Sequence, residues 1–369
     1  MNALFDAGNS RDLFFASCRA LFLSLLVGAA IFLLMGKDPL AAYANLLQGS
    51  GLLPKVKYAG RQSQFTDFMS FLDAMTPMIF ASLAVAVALR GGFFNIGVPG
   101  QMLAAGICAH MTAAALGGAA PSPVAKLLVL AAGVAAGALP GAFTGWLKHR
   151  FNVNEVVTSI MLNSIAMYLI AFYINTFYVN PVSRQSRAIV AAARLTLSGV
   201  RWNGLKVDVA LAFPLAVLAA FLLHAFLDRT TYGFEIRALG LSREAARYAG
   251  ISPGRTTLLA MTLSGALGGL AGAAYFCGYL ASIHPGVVPG IGFDAIAVAL
   301  LGGGRPLGCL LASFLITILS KGSVYMSSRQ GVEPEIASLI TAVILIFAAC
   351  SAALKGAGGS GGSGGGAAA

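Results

Sequence analysis

Residues 227–255 read LDRTTYGFEIRALGLSREAARYAGISPGR, and long apolar segments stand on both sides of them. The five arginines of this segment cannot lie in hydrocarbon, where charged groups are costly, so the segment must lie at a membrane face. Ser242 predicts the N-cap of a short helix, with Glu244 and Arg247 placed to suit the positive and negative ends of its dipole. Gly250 predicts the C-terminal end of this short helix. A short capped helix displayed at a membrane surface is typical of a docking element.

Composition indicates the class of protein. Hydrophobic residues make up 58% of the 369-residue chain and charged residues 10%, whereas a soluble domain carries about 25% charged residues. A bilayer is crossed by helices of about 20 apolar residues, because every backbone polar group must be satisfied internally. The sequence therefore predicts an all-α polytopic membrane protein with about ten transmembrane helices.

Ten apolar segments give the predicted organisation. They are residues 13–35, 67–90, 96–117, 124–147, 154–175, 207–227, 256–280, 288–304, 306–326 and 335–353. Two long polar loops, 36–66 and 176–206, separate some of them. We assign residues 1–355 to one transmembrane domain. Residues 356–369 are a Gly/Ser linker of the kind appended for expression, and they are left out of the fold.

Charge in the short loops predicts the orientation. The basic residues 148–150 fall on the same side as segment 227–255, which the positive-inside rule favours as the cytoplasmic side. We therefore expect both termini in the cytoplasm. The N-terminal apolar segment is too long for a signal-peptide core, and it predicts a retained first span.

Several functions are disfavoured by what the sequence lacks. A phosphate-binding Gly-x-x-x-x-Gly-Lys-Ser/Thr motif is missing, so nucleotide hydrolysis is not expected on this chain. Its four histidines are isolated and its five cysteines are widely spaced, so we predict neither catalytic residues nor metal ligands, and no enzyme activity. The net charge of +11 is scattered over membrane-flanking loops, which suits lipid headgroups and not nucleic acid.

The segment GGFFNIGVPGQ, residues 91–101, is the first candidate part of a solute pathway. Irregular backbone at membrane depth is tolerated where it lines a water-filled cavity or is buried in protein. Asn95 and Gln101 could bond a polar solute, and Phe93 or Phe94 could stack on a ring. The alternative is a tight turn between two helices.

Three further polar groups lie in apolar segments. Asn163 could contact the solute or make an interhelical hydrogen bond. Asp73 and Asp294 are the acids that lie well away from the ends of the predicted spans, where an ionisable group suggests a function, although an acid at a helix start is the alternative. So few intramembrane charges argue against an ion-coupled carrier. They favour a neutral polar solute whose transport is driven from elsewhere.

Glycines recur every fourth residue in two predicted spans, at Gly133, Gly137, Gly141 and Gly145 and at Gly265 and Gly269. This spacing puts them on one helix face and predicts a tightly packed bundle, or alternatively surfaces that slide during gating.

Four segments occur in an order that a known family shares: TPMIFASLAVAVALRGGFFNIGVPGQMLAAG (76–106), NEVVTSIMLNSIA (154–166), RALGLSREAARYAGIS (237–252) and GFDAIAVALLGGGRPLG (292–308). Over most of residues 66–350 the chain resembles the permease subunits of bacterial ABC importers for nucleosides and simple sugars. These are relatives of the ribose and branched-chain amino acid permeases. The resemblance implies a type II-like importer permease fold in the bacterial inner membrane.

The resemblance also implies the partners. Two ABC ATPase subunits would dock from the cytoplasm, a second permease subunit, related or identical, would complete the channel, and an extracytoplasmic binding protein would deliver the solute. This chain would bind no cofactor, since ATP and Mg²⁺ belong to the ATPases. Residues 228–255 would be the coupling segment, with loops 36–66 and 176–206 on the opposite side. Its coupling residues would be Arg237, Gly240, Arg243, Glu244, Ala245, Ala246 and Gly250.

The expected function is import of a nucleoside through a pathway that includes Phe94, Asn95, Gln101, Asn163 and Asp294. A simple sugar or another small metabolite is the alternative solute. A secondary transporter or channel that needs no ATPase is the alternative mechanism.

Overall fold

A computed structural model of the chain describes residues 10–55, 64–116, 121–202 and 205–333, together with 335–336, 338–340, 342–343 and 346. The predicted tail 356–369 and most of the predicted last span therefore lie outside the described residues. The helices are α1 Ser10–Leu34, α2 Pro39–Gly49, α3 Gln64–Arg90, α4 Val98–Leu116, α5 Ser122–Phe151, α6 Glu155–Tyr173, α7 Ala212–Arg229, α8 Thr231–Leu241, α9 Arg243–Tyr248, α10 Pro253–Ala274, α11 Ile291–Leu301 and α12 Pro306–Gln330. Single π-helical turns, Ile174–Tyr178 and Tyr275–Tyr279, extend α6 and α10.

Six helical segments of the described chain are long and apolar enough to cross a bilayer: Gln64–Arg90, Ser122–Phe151, Glu155–Tyr178, Ala212–Arg229, Pro253–Tyr279 and Pro306–Gln330. A seventh is added if Phe22–Leu34 and Pro39–Gly49, which meet at 114°, count as one broken span. The chain is thus a multi-pass helical membrane protein, but the predicted number of about ten spans is not confirmed.

The predicted eighth span, 288–304, is a shorter helix than the sequence suggested. α11 has 11 residues and is about 16 Å long, half of a hydrocarbon core of about 30 Å. It ends at Gly302, and both Gly303 and Gly304 adopt positive φ angles before α12 begins. The glycines end the helix because they take up left-handed backbone without strain.

Helix α3 is the centre of the bundle. Every residue from Met75 to Leu89 is buried, so the helix has no lipid-facing stripe. A helix that is apolar on all sides is stable only when other helices surround it. α10, α11 and α12 pack against α3, together with α7.

The predicted glycine faces of α5 and α10 meet each other. A Cβ atom on Gly137 would collide with the backbone of Gly269, and one on Gly141 would collide with the Met261 carbonyl oxygen. The tightly packed bundle is therefore confirmed for this pair of helices. Their close approach depends on the missing side chains.

A β-hairpin departs from the predicted all-α fold. Strands β1 Thr196–Trp202 and β2 Leu205–Ala210 pair antiparallel, with Val200 opposite Val207. The predicted sixth span, 207–227, therefore begins only at Ala212, where α7 starts. The reason is the alternation of polar and apolar residues in 206–209, which suits a half-buried strand and not a helix.

The bundle has two ends, which we name by their contents. The arginine face holds residues 228–255, Arg90 and Arg305, and Arg90 Nε donates to the Gly304 carbonyl at 2.8 Å. The hairpin face holds β1 and β2, and there Thr196 Oγ1 donates to Asp73 at 2.7 Å. α3, α10 and α12 each run from one face to the other.

The predicted loop 36–66 contains a helix at the hairpin face. Asp38 caps α2 by accepting from the Leu40 N–H, and Pro39 occupies its first turn, where a proline is tolerated. Gly49 of α2 lies directly against Gly322 of α12. Lys37 Nζ donates to the Gln330 carbonyl at 2.7 Å, which fixes the entry to α2 beside the end of α12.

Candidate functional site

The arginine face carries the short capped helix that the sequence predicts. Ser242 Oγ accepts from the Ala245 N–H at 3.2 Å, and Glu244 stands in the first turn of α9. At the other end, Gly250 has φ +82°, and its N–H and that of Ile251 bond back to α9 carbonyls at 3.1 and 3.0 Å. These two bonds form a Schellman stop. The predicted N-cap and stop are confirmed.

One side of α9 faces outward. Ala246 is buried, whereas Arg243, Glu244, Ala245 and Arg247 are exposed. Tyr248 is 93% exposed at the end of the helix, and the sequence reasoning missed it. The sequence does contain a signal for Tyr248: it is an aromatic residue at the end of the short charged segment 243–248. Exposed tyrosines are common anchors of protein interfaces.

The inner side of the segment is fixed to the bundle by α8. Gly240 lies against the Arg90 carbonyl and the backbone of Gly92, where a side chain would not fit. Thr256 Oγ1 donates to Glu235 at 3.2 Å and so ties α8 to α10. α9 is therefore displayed on a rigid support.

Arg237 lies on α8, and its side chain is 35% exposed. Its guanidinium donates to Asp228 Oδ1 at 3.2 Å, and His224 Nδ1 lies 3.0 Å from the other oxygen of Asp228. Arg237, Asp228, Arg90 and Arg305 line a cavity of about 700 Å³ beside α8 and α9. With three arginines and one aspartate, that cavity is positively charged.

Three predicted pathway residues come together in the bundle interior. Asn95 Nδ2 donates to Ser264 at 2.7 Å and to Gln101 Oε1 at 3.3 Å, and Asn95 Oδ1 accepts from the Gly97 N–H. Asn163 Oδ1 accepts from the Gly100 N–H and its Nδ2 donates to the Ile96 carbonyl, both at 2.9 Å.

This interior cluster matches the alternatives of a tight turn and interhelical hydrogen bonds. Asn95, Gln101 and Asn163 are all buried, and their bonds hold the 91–101 segment against α6 and α10. Phe94 packs beside them, half-buried against the core. Solute contact by these four side chains stays a prediction.

Asp294 lies elsewhere, in a cavity of about 590 Å³ toward the hairpin face. Its lining residues include Asp67, Tyr275, Tyr279, Asp294, Lys321 and Tyr325. We call it the tyrosine cavity. The sequence reasoning missed Lys321, although a lysine inside the predicted span 306–326 was a visible signal of function.

Metal binding finds no support in the described part of the chain. No group of three or more His, Cys, Asp or Glu side chains there could hold an ion.

Together these features define a multi-pass membrane protein with a short, exposed, capped helix at one face and a cavity of about 590 Å³ toward the other. The chain belongs to the family described as branched-chain amino acid transport system / permease component, which matches residues 68–349. The resemblance to ABC permeases is thereby confirmed.

Several characterised permeases are similar to this chain over most of its length. The chain is 34% identical to the guanosine ABC transporter permease protein NupP of Bacillus subtilis, over 91% of this chain and 93% of that protein. It is 33% identical to the nucleoside ABC transporter permease protein NupB of Lactococcus lactis, over 89% of each. The glucose ABC transporter permease protein TsgB13 of Haloferax volcanii is 29% identical, over 88% of this chain and 84% of that protein. These relatives are transport subunits and not enzymes.

Proposed function

We propose that this chain is the permease subunit of an ATP-driven nucleoside importer. The two relatives named for guanosine and nucleoside transport exceed the glucose permease in identity and in coverage. The tyrosine cavity suits the same solute class, because aromatic rings stack on nucleobases.

The observation that carries the proposal is the displayed helix α9. This helix is capped at both ends and exposed along one side, and the preceding helix α8 packs against the bundle. A short rigid projection of this kind can pass on a movement that a separate motor makes. ABC ATPase subunits, which bind ATP and Mg²⁺, would supply that movement, while this chain would bind neither.

The proposed mechanism couples the two faces. Closure of the ATPase dimer pushes α9 and α8, and α8 presses on the ends of α3 and α10 through Gly240 and Glu235. Because α3 and α10 continue to the tyrosine cavity, their repacking can change which side that cavity opens to. A second permease subunit, related or identical, would form the other half of the pathway.

The proposed orientation follows from this role. The arginine face would lie in the cytoplasm with both termini, in the inner membrane of a bacterium. The hairpin face, with the segments 36–66 and 176–206, would lie outside and receive the solute-binding protein. The end of α1 near Lys37 lies at the hairpin face, which supports a cytoplasmic N-terminus, since α1 is about 37 Å long.

Reconstitution tests the proposal. The chain is purified with its copurifying ATPases, placed in liposomes with the binding protein, and assayed for uptake of labelled guanosine with and without ATP. We expect uptake that requires ATP and stops when an ATPase catalytic residue is replaced. Uptake of glucose in place of guanosine would support the sugar alternative. Guanosine flux through this chain alone would support a channel or secondary transporter.

A further inference from the structure

We propose that the solute passes through the tyrosine cavity, with its base stacked on Tyr275 and Tyr279 and its hydroxyl groups bound by Asp294 and Lys321. This inference rests on the proposed function, which it extends by assigning the contacts.

Size and charge both suit a nucleoside. The cavity of about 590 Å³ lies inside the range of about 300–1,000 Å³ that is typical of small-molecule sites. Its charged lining consists of Lys55, Asp67, Asp294 and Lys321, two of each sign. A cavity without net charge disfavours ions and accepts a neutral solute with many polar groups. The arginine-lined cavity at the other face, with its excess positive charge, lacks this property.

The aromatic surface is built by a local change of helix type. The π-helical turn Tyr275–Tyr279 closes with the Leu280 N–H donating to the Tyr275 carbonyl at 2.9 Å. π-helical turns widen a helix and occur often at functional sites. Here the turn stacks the two tyrosine rings, with centroids 6.0 Å apart and planes 27° from parallel. Both side chains are half-buried, so each keeps surface that a base can cover.

Polar groups on other helices complete the cavity. Lys321 Nζ of α12 lies 3.4 Å from the Tyr279 hydroxyl and 5.1 Å from the centre of that ring, so it holds the aromatic surface in place. Asp294 stands in the first turn of the half-length helix α11. Among the described residues it has neither a hydrogen bond nor an ion pair. Its carboxylate is therefore free to accept bonds from ribose hydroxyl groups.

The Lys55–Asp67 ion pair lines the same cavity. The two groups are 2.8 Å apart, and the Lys55 ammonium also lies 4.9 Å from the centre of the Tyr325 ring. Because these two charges satisfy each other, Asp294 and Lys321 remain as the charged contacts for a solute.

The interior cluster is the rival location within this chain. The amide groups of this cluster are already hydrogen-bonded. Asn95 bonds to Gln101 and Ser264, and Asn163 bonds to backbone groups of the 91–101 segment. Solute binding there would first break bonds between buried groups, each of which is costly to leave unmade. The tyrosine cavity needs no such rearrangement.

Photolabelling separates the two locations. The reconstituted complex, with its ATPases and binding protein, is irradiated with 8-azidoadenosine, and labelled peptides are identified by mass spectrometry. We expect label within 275–279 or 320–325 that excess adenosine displaces. The assignment is wrong if neither segment carries the label, or if the label is found only on residues 91–101 and Asn163.

Variants test the contacts in the same complex. Tyr275→Leu removes one stacking surface and is expected to lower nucleoside uptake at least about fivefold, since a stacked base is worth that much or more. Tyr275→Phe should retain most uptake. Asp294→Asn should lower uptake by a similar factor. The affinity of the binding protein for the nucleoside should not change, because that protein does not contain the cavity.

Two matched controls and the unmodified complex make the outcomes distinct. Tyr168→Leu changes a tyrosine that is 70% exposed on α6, and Glu333→Gln changes an exposed acid. Both should transport at the unmodified rate. If Tyr275→Leu and Asp294→Asn also do so, the cavity assignment is wrong. If the unmodified complex takes up no nucleoside at all, the proposed function has failed instead.

Discussion

Replacing Tyr248 by alanine should separate docking from folding. The side chain is 93% exposed, so its loss removes almost no contact within the chain. A surface change of this kind alters the free energy of unfolding by about 0.5 kcal/mol or less. Buried in an ATPase groove, the same ring would cover about 150–250 Å² and contribute about 2 kcal/mol, as interface tyrosines often do. That loss corresponds to an affinity for the ATPase weakened about 30-fold.

The assay measures both quantities on one protein. Binding of the purified ATPase to immobilised permease gives the Kd, and thermal unfolding in detergent gives the Tm. Tyr248→Phe keeps the ring and should bind within about threefold of the original. Tyr168→Ala, which changes an exposed tyrosine of α6 far along the chain from α9, should bind normally. An unchanged Kd in Tyr248→Ala would refute the assignment of α9 as the docking helix.

Three further changes test individual features. Ser242→Ala removes the N-cap of α9, so the helix should lose about 1 kcal/mol and its amide hydrogens should exchange faster, whereas Ser242→Thr should behave nearly as the original. Gly137→Val forces side-chain atoms into the α10 backbone and should lower the Tm by an amount that corresponds to about 1–3 kcal/mol, while Leu139→Val on the exposed side of the same helix should not. Thr196→Val removes the hydroxyl that donates to the buried Asp73, so it should lower the free energy of unfolding by about 1–3 kcal/mol. Thr196→Ser keeps the hydroxyl and should leave the free energy of unfolding unchanged.

Features that depend on neighbouring residues could be predicted from the sequence. The caps of α9 follow from Ser242 and Gly250, which act on backbone groups only a few residues away. The close contact of α5 with α10 follows from glycines at helical spacing, because such a face lets a neighbouring helix approach closely.

The hairpin and the short helix α11 had signals that the hydrophobic profile concealed. Asn203-Gly204, the usual two-residue turn of a hairpin, stands between β1 and β2 in the sequence, although these two residues lie outside the described structure. Residues 302–304 are three successive glycines, which predict a helix end. The predicted span 288–304 runs across the three glycines, whereas Asn203-Gly204 falls in the predicted loop 176–206, just before the predicted span 207–227.

The tyrosine cavity could not have been assembled from the sequence. Tyr275, Asp294 and Lys321 come from three helices, and only the packing of α10, α11 and α12 around α3 brings them together. The same packing turned Asn95 and Asn163 inward, toward each other's segments, which local sequence does not specify.

Crosslinking from position 248 tests the central claim most directly. A photoreactive benzoylphenylalanine replaces Tyr248 in cells that also produce the ATPase subunits and the binding protein. If α9 is the lever that the ATPases grip, irradiation should give an adduct between this chain and an ATPase subunit. An adduct with the extracytoplasmic binding protein, or none with the ATPase in a complex that transports, would contradict it.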